Sequence, residues 1–254
     1  MHRKYFYHYT NINSLKKIIE TKSILFSNSF DSNDDSEIEY FKALCINNTK
    51  YNSIYSLLFV NLPAEGNNIV AYILSLCANS DNLTCWREYG DYGHGVCLRF
   101  DIEKLERLLG TTGVIHYSGE IIYKKNIQQQ QLRMLDNKLI INTVESTSDN
   151  YKYAVSKALL FKHPINNVEK EYRITIIMSK DDATVINLDS ISNFNKGNAL
   201  SLYNIFDAID EICLGPNVSL YEKKLIRDLL KIKNIKVKTK EKAFRIIKKA
   251  RKAK

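Results

Sequence analysis

The chain has 254 residues, 44% of them hydrophobic and 26% charged, with a net charge of +9. That length allows a sizeable core, and no apolar run approaches the roughly 18 residues that a membrane-spanning helix needs. The opening MHRKYFYHYT lacks the apolar core of a secretory signal. The five cysteines form no C-x-x-C pair and lie mostly in apolar runs, which points to reduced, buried thiols in a cytoplasmic protein.

The elements follow in chain order. Tyr5 to Tyr9 alternates aromatic and polar residues and predicts a short strand with His8 at its middle. Asn11 or Asn13 can cap a helix whose apolar face is Leu15, Ile18 and Ile19, and Ile24 to Phe26 predicts a strand. SFDSNDDSEIEYF is acidic; its first half predicts a turn and Ser36 onwards a helix. Asn33, Asp34, Asp35 and Glu37 are oxygen donors, but without the spacing and central glycine of a calcium loop. Tyr51 to Asn61 predicts a further helix.

The densest information lies between Leu74 and Asp101. Ile69 to Cys77 is nearly continuous apolar and predicts a buried strand. Asn79, Ser80, Asp81 and Asn82 form a turn that can cap a short helix from Leu83 to Tyr89. Gly90, Gly93 and Gly95 end that helix, and Gly95 to Phe100 predicts a second strand. This arrangement sets Trp86, the chain's single tryptophan, with Tyr89 and His94 at one end of a sheet, where a flat ligand could be held. Trp86 and Tyr89, three apart on a helix, equally suit a core.

Downstream, Ile102 to Leu109 predicts an amphipathic helix, and Val114–Tyr117 with Glu120–Lys124 a hairpin across Ser118-Gly119. Helical periodicity runs from Gln129 to Leu139 and from Tyr151 to Phe161. Glu171 to Met178 and Ile209 to Leu214 predict strands, the latter ending at Gly215-Pro216. Ser219 caps a helix to about Lys233, and Ile235 to Thr239 predicts a late strand. Phe244 to Ala250 suits either helix or strand.

The positive charge is local. Residues 221–254 hold 15 Lys/Arg against 3 Asp/Glu, a surplus of +12, and the preceding chain carries −3. This is either a solvated helix with a basic tail or an arm that tracks phosphates; aromatic interleaving for base stacking is missing beyond Phe244.

Glu169, Glu171 and Arg173 sit at i, i+2 and i+4. Extended, they share one face of a sheet at the head of an apolar strand. Two carboxylates and a guanidinium there suit a solvated ion pair, or the recognition of a sugar hydroxyl and of positive charge growing at an anomeric carbon. No Walker loop, G-x-S-x-G, H-E-x-x-H or dinucleotide fingerprint is present. His2, His116 and His163 show no partner spacing, so no metal is expected.

Taken in order, YHYT, NDDSE, the block SLCANSDNLTCWREYGDYGHGVCLRFD, EKEYRI and EICLGP make the chain resemble a bacterial family known as domain of unknown function 2971, from Tyr7 to about Pro216. One departure is Asp35, where the family usually carries Pro. That family's pattern is in turn similar to ADP-ribosyltransferases. The resemblance implies a single α+β domain over residues 1–239, with mostly antiparallel sheets in a split arrangement, flanking helices and a basic tail or helix over 240–254. It implies NAD as substrate, no metal, no membrane, and a macromolecular acceptor, protein or nucleic acid, in a bacterial defence or toxin role.

By the same resemblance His8, with Tyr9 and Thr10 beside it, would touch the adenosine-side ribose. Asn33 and Asp34 would join the nucleotide site, and Trp86 and Tyr89 would lie near a ring of the cofactor. Glu171 would stabilise the oxocarbenium as nicotinamide leaves. Glu169 would orient the acceptor, and Arg173 would hold a phosphate or Glu171. Two alternatives stand beside the transferase: an NAD glycohydrolase with water as acceptor, and a non-catalytic nucleotide- or protein-binding sensor module.

Overall fold

The computed structural model describes residues 4–29, 35–46, 54, 58, 69–141, 147–188, 190–194 and 199–241. The elements run β1 (Tyr5–Thr10), α1 (Ile12–Thr21), β2 (Ser23–Asn28), α2 (Asp35–Ile46), β3 (Ile69–Cys77), α3 (Leu83–Glu88), β4 (Val96–Asp101), α4 (Ile102–Gly110) and β5 (His116–Glu120). They continue α5 (Lys125–Ile141), α6 (Thr147–Ala158), β6 (Glu171–Ser179), α7 (Lys180–Val185), β7 (Ile191–Phe194), β8 (Ala199–Tyr203), β9 (Ile209–Leu214), α8 (Leu220–Ile232) and β10 (Lys238–Glu241). The fold class is α+β. The expected helix at Tyr51–Asn61 and the segment Phe244–Ala250 lie almost wholly or wholly outside the described residues.

Nearly every strand pairing is antiparallel, in the order β10-β9-β4-β1-β3-β2-β8-β7, with β6 joining β3 and β5; among the described strands only β9 and β10 run parallel. β6 lies along all of β3, from Ile69↔Ser179 to Cys77↔Glu171. β1 and β2 therefore share the other edge of β3. β2 reaches Tyr72 and Ile73, while β1 touches only at Tyr7↔Cys77. Between these contacts, at Leu74 to Leu76, the sheet forks. β10 extends the sheet to Glu241.

Alternation along the strands sends successive side chains to opposite faces. Val70, Tyr72, Leu74, Leu98, Phe100, Ile174 and Ile176 build the main core with α1, α4 and α8. Ala71 and Ile177 turn the other way, against Phe41, Leu135, Val155 and Phe161 of the second core. Helix termini follow local chemistry: Asn11 accepts from Ser14 N, Asn82 from Thr84 N and Cys85 N, and Ser219 with Glu222 forms a full capping box.

The expected hairpin across Ser118-Gly119 is replaced by one strand. His116–Glu120 pairs with β6, and both residues lie within it. A Cβ on Gly119 would come within 2.9 Å of the Leu160 side chain, so this glycine serves close packing rather than a turn. The glycine corner has a similar cause. A Cβ on Gly95 would stand 2.3 Å from the Thr10 carbonyl oxygen, and one on Gly215 would stand 2.2 Å from that of Gly93. The two corners are packed backbone on backbone.

Candidate functional site

A cavity of about 300 Å³ opens at the fork. Its wall includes His8 and Tyr9 from β1, Ser27 and Asn28 from β2, Leu74–Cys77 from β3, and Tyr89, Lys162, Glu169, Glu171 and Arg173. The volume is at the lower end of ordinary small-molecule sites.

His8 closes part of the gap. Its Nδ1 lies 3.2 Å from the Ser75 carbonyl oxygen. A carbonyl only accepts, so Nδ1 carries the proton and neutral His8 leaves Nε2 as an acceptor. Burial pushes the imidazole below its usual range, against the opposing pull of the Ser75 carbonyl, which favours that neutral form.

The acidic end is built by a short 3-10 turn, Pro164–Val168, rather than by an extended strand. Glu169 ends this turn, and Lys170 adopts φ of 50° before β6 begins at Glu171. The expected strand alternation of Glu169, Glu171 and Arg173 is thus corrected: Glu169 reaches the same cavity through a left-handed corner. The turn is clamped to the central stretch by Asn82, whose side chain caps α3 while its amide donates to the carbonyls of Val168 (2.6 Å) and Glu169 (3.3 Å). The Cys77 thiol also donates to the Glu169 carbonyl, at 3.0 Å.

Four charged side chains alternate in sign across the wall. Lys162 Nζ donates to Glu169 Oε2 (2.7 Å) and Glu171 Oε2 (3.3 Å). Arg173 donates from Nε to Glu171 Oε1 (2.7 Å), from Nη2 to Oε2 (3.2 Å), and from Nη1 to the Leu159 carbonyl (2.8 Å). Glu171 is only 8% exposed. Its three bonds take three of the roughly four acceptor positions a carboxylate offers, leaving one on Oε1. Removing carboxylates from water costs several kcal/mol each, and two interleaved cations offset that cost.

Tyr9 lines the cavity with its hydroxyl spoken for: it donates to the Asn79 carbonyl (2.7 Å) and accepts from Asn82 N (3.2 Å). Burial holds that phenol well above its usual range. Tyr89 also lines the cavity and is half exposed; burial, then the neighbouring Glu169 charge, push its phenol up to about 12. Trp86 is elsewhere. It is fully buried with Tyr9, Cys77, Cys85, Cys97 and Cys213, so it supports Tyr9 from below and does not line the cavity. Burial of an indole is what the apolar side of α3 requires. Thr10 is buried too, opposite Val96, and is not part of the wall. Asn33 and Asp34 lie outside the described residues.

Two contributors escaped the sequence reading. Lys162 follows buried Phe161 and is the second cation of the wall; two carboxylates entering an apolar strand with one nearby arginine were the signal that a second positive charge was needed. Gln128, in what looks like a mere glutamine run, is buried and fixes the Lys162 backbone by donating to its carbonyl (2.9 Å) and to that of Ile122 (2.6 Å). All five cysteines are buried, and none is in a disulfide. Among the described residues no three His, Cys, Asp or Glu side chains gather as metal ligands, and no helix is long and apolar enough to cross a membrane.

Fold and cavity together define a forked, mainly antiparallel α+β protein with a charge-balanced cavity at the fork. Residues 85–174, holding β4, β5, the 3-10 turn and the head of β6, match the family described as "Protein of unknown function (DUF2971)". No curated protein and no solved structure matches the chain.

Proposed function

We propose that the cavity binds NAD and that the protein is an ADP-ribosyltransferase acting on a macromolecular acceptor. The observation that carries this reading is that Glu171 and His8, from strands on opposite edges of β3, line one cavity. Glu171, with an acceptor position left on Oε1, would bond a hydroxyl of the nicotinamide ribose. His8 Nε2 would accept from the adenosine-side ribose, and Tyr89 would lie against a ring. Arg173 is engaged with Glu171, so its role is to hold that carboxylate rather than a phosphate.

In the reaction the C1′–N bond breaks and its electron pair leaves with nicotinamide. The ribose becomes an oxocarbenium, which the Glu171 carboxylate stabilises. An acceptor oxygen or nitrogen, oriented by Glu169, then bonds C1′ and its proton passes to solvent. Water in the acceptor's place makes the protein a glycohydrolase.

Incubation of the purified protein with NAD and cell extract tests this by nicotinamide release and by ADP-ribose label on macromolecules. Release with label is expected; release without label favours water, and no release with any acceptor sinks the reading. A non-catalytic sensor module is the second reading. One observation favours it: both cations in the wall are already engaged with carboxylates, so the quartet sums to zero and offers the NAD diphosphate no surplus charge. Calorimetric binding of NAD without nicotinamide release would select it.

A further inference from the structure

We infer that Lys162 is the positioning residue of the site: it holds Glu169 and Glu171 side by side, so that Glu171 Oε1 is presented to the ribose. The inference rests on the proposed NAD reaction and adds to it a residue that neither the motifs nor the family match singles out.

The geometry is specific. One ammonium bridges two carboxylates, at 2.7 and 3.3 Å, and all three side chains are at least four-fifths buried. Arg173 is paired with Glu171, while Lys162 reaches both carboxylates. Its backbone is anchored independently by Gln128, which fixes where the ammonium can reach. The other titratable groups facing this cluster are Tyr123, whose hydroxyl accepts from Glu171 N (3.1 Å), Tyr89, and, along the same cavity, Tyr7, His8, Tyr9, Cys77 and Cys85. Tyr89 and Tyr123 are neutral phenols at neutral pH, both raised chiefly by burial. None of these can replace the missing positive charge.

Without Lys162 the two carboxylates repel each other in a dry wall, and one of them takes up a proton instead. A protonated or displaced Glu171 cannot stabilise the oxocarbenium. The loss should therefore depend on pH, which a purely structural defect would not.

The experiment measures nicotinamide release against pH for wild type, Lys162→Met, Lys162→Arg and the double variant Lys162→Met/Glu169→Gln. In Lys162→Met, kcat at pH 6 should fall at least about tenfold with KM changed less than about threefold, and the acid limb should move up by about one pH unit or more. Lys162→Arg should restore the wild-type limb. The double variant removes the repelling charge along with the cation, so its limb should return toward wild type; if Lys162→Met does not fold, Lys162→Gln takes its place with the same expected shift. Unshifted limbs in both Met-bearing variants, or a limb in the double variant as displaced as in Lys162→Met, would overturn the inference while leaving the reaction standing. A wild-type protein that releases no nicotinamide overturns the reaction, and this role with it.

Discussion

Trp86 meets Tyr9 edge-on, with ring centroids 4.9 Å apart and planes at 88°. The indole is wholly enclosed, while the phenol ring above it faces the cavity. Trp86→Phe should therefore cost about 1–3 kcal/mol of stability through lost packing and leave ligand affinity almost unchanged. Urea unfolding alongside calorimetric titration checks this; an affinity loss at full stability would mean that the indole touches the ligand.

Glu171→Gln keeps the side chain's size and removes its charge. Nicotinamide release should drop by about 10²–10³-fold, the usual scale for losing one transition-state stabiliser. The variant should still unfold cooperatively, at a cost of about 1–3 kcal/mol for weakened charge-assisted bonds. Equal release by variant and wild type would remove Glu171 from the chemistry.

Arg173→Lys keeps the charge but cannot reproduce a guanidinium's bonds to Glu171 through two nitrogens and to the Leu159 carbonyl through a third. A loss of about 2–4 kcal/mol in chemical denaturation is expected. A neutral result would show that water replaces the missing donors.

The pH dependence of stability should carry the signature of His8. Its imidazole is pushed below the ordinary value of 6.5 in the folded chain. As pH falls through 6.5 the unfolded chain binds a proton that the folded one does not, so folding weakens on the acid side. Asn at this position retains an amide donor for the Ser75 carbonyl and does not titrate. In His8→Asn the decline between 6.5 and the lowered folded value should flatten, as read from unfolding free energies at successive pH values; an unchanged slope assigns the decline to other groups.

Gly95→Ala would drive a methyl into two main-chain carbonyls, those of Thr10 at 2.3 Å and Gly90 at 2.8 Å. Backbone cannot swing aside as a side chain can, so a loss of about 3 kcal/mol or more is expected. Thermal unfolding reports it, and a melting temperature near wild type would contradict the close packing.

Much of the fold was legible wherever one force dominated. The apolar run Ile69–Cys77 and the run Ile209–Leu214 become strands with the expected ends, because full burial leaves little else for such runs to do. Asn82 and Ser219 cap the helices expected of them. The fork was not legible, since which edge β1 and β2 share on β3 depends on contacts far apart in the chain. β7 and β8 escaped as well: short strands around ISNF and ALSLY are set by pairing with each other and with β2, not by local pattern. Within the cavity wall, His8, Glu171 and Arg173 come together from β1 and β6. Glu169 arrives by a turn because a left-handed Lys170 cannot be read from charge spacing, and Trp86 is hidden because a lone tryptophan beside cysteines fits a core as readily as a binding wall.

The strand order bears on what can be excised. The family-matching stretch 85–174 contains β4 and the head of β6, yet β4 is flanked by β1 and β9, and β6 rests on β3. All three of those neighbours lie outside the match. A fragment trimmed to it would have bare strand edges and half a core, and should aggregate rather than fold. The recognisable part of this chain is thus not an autonomous unit: it is the middle of a sheet that both termini must return to complete.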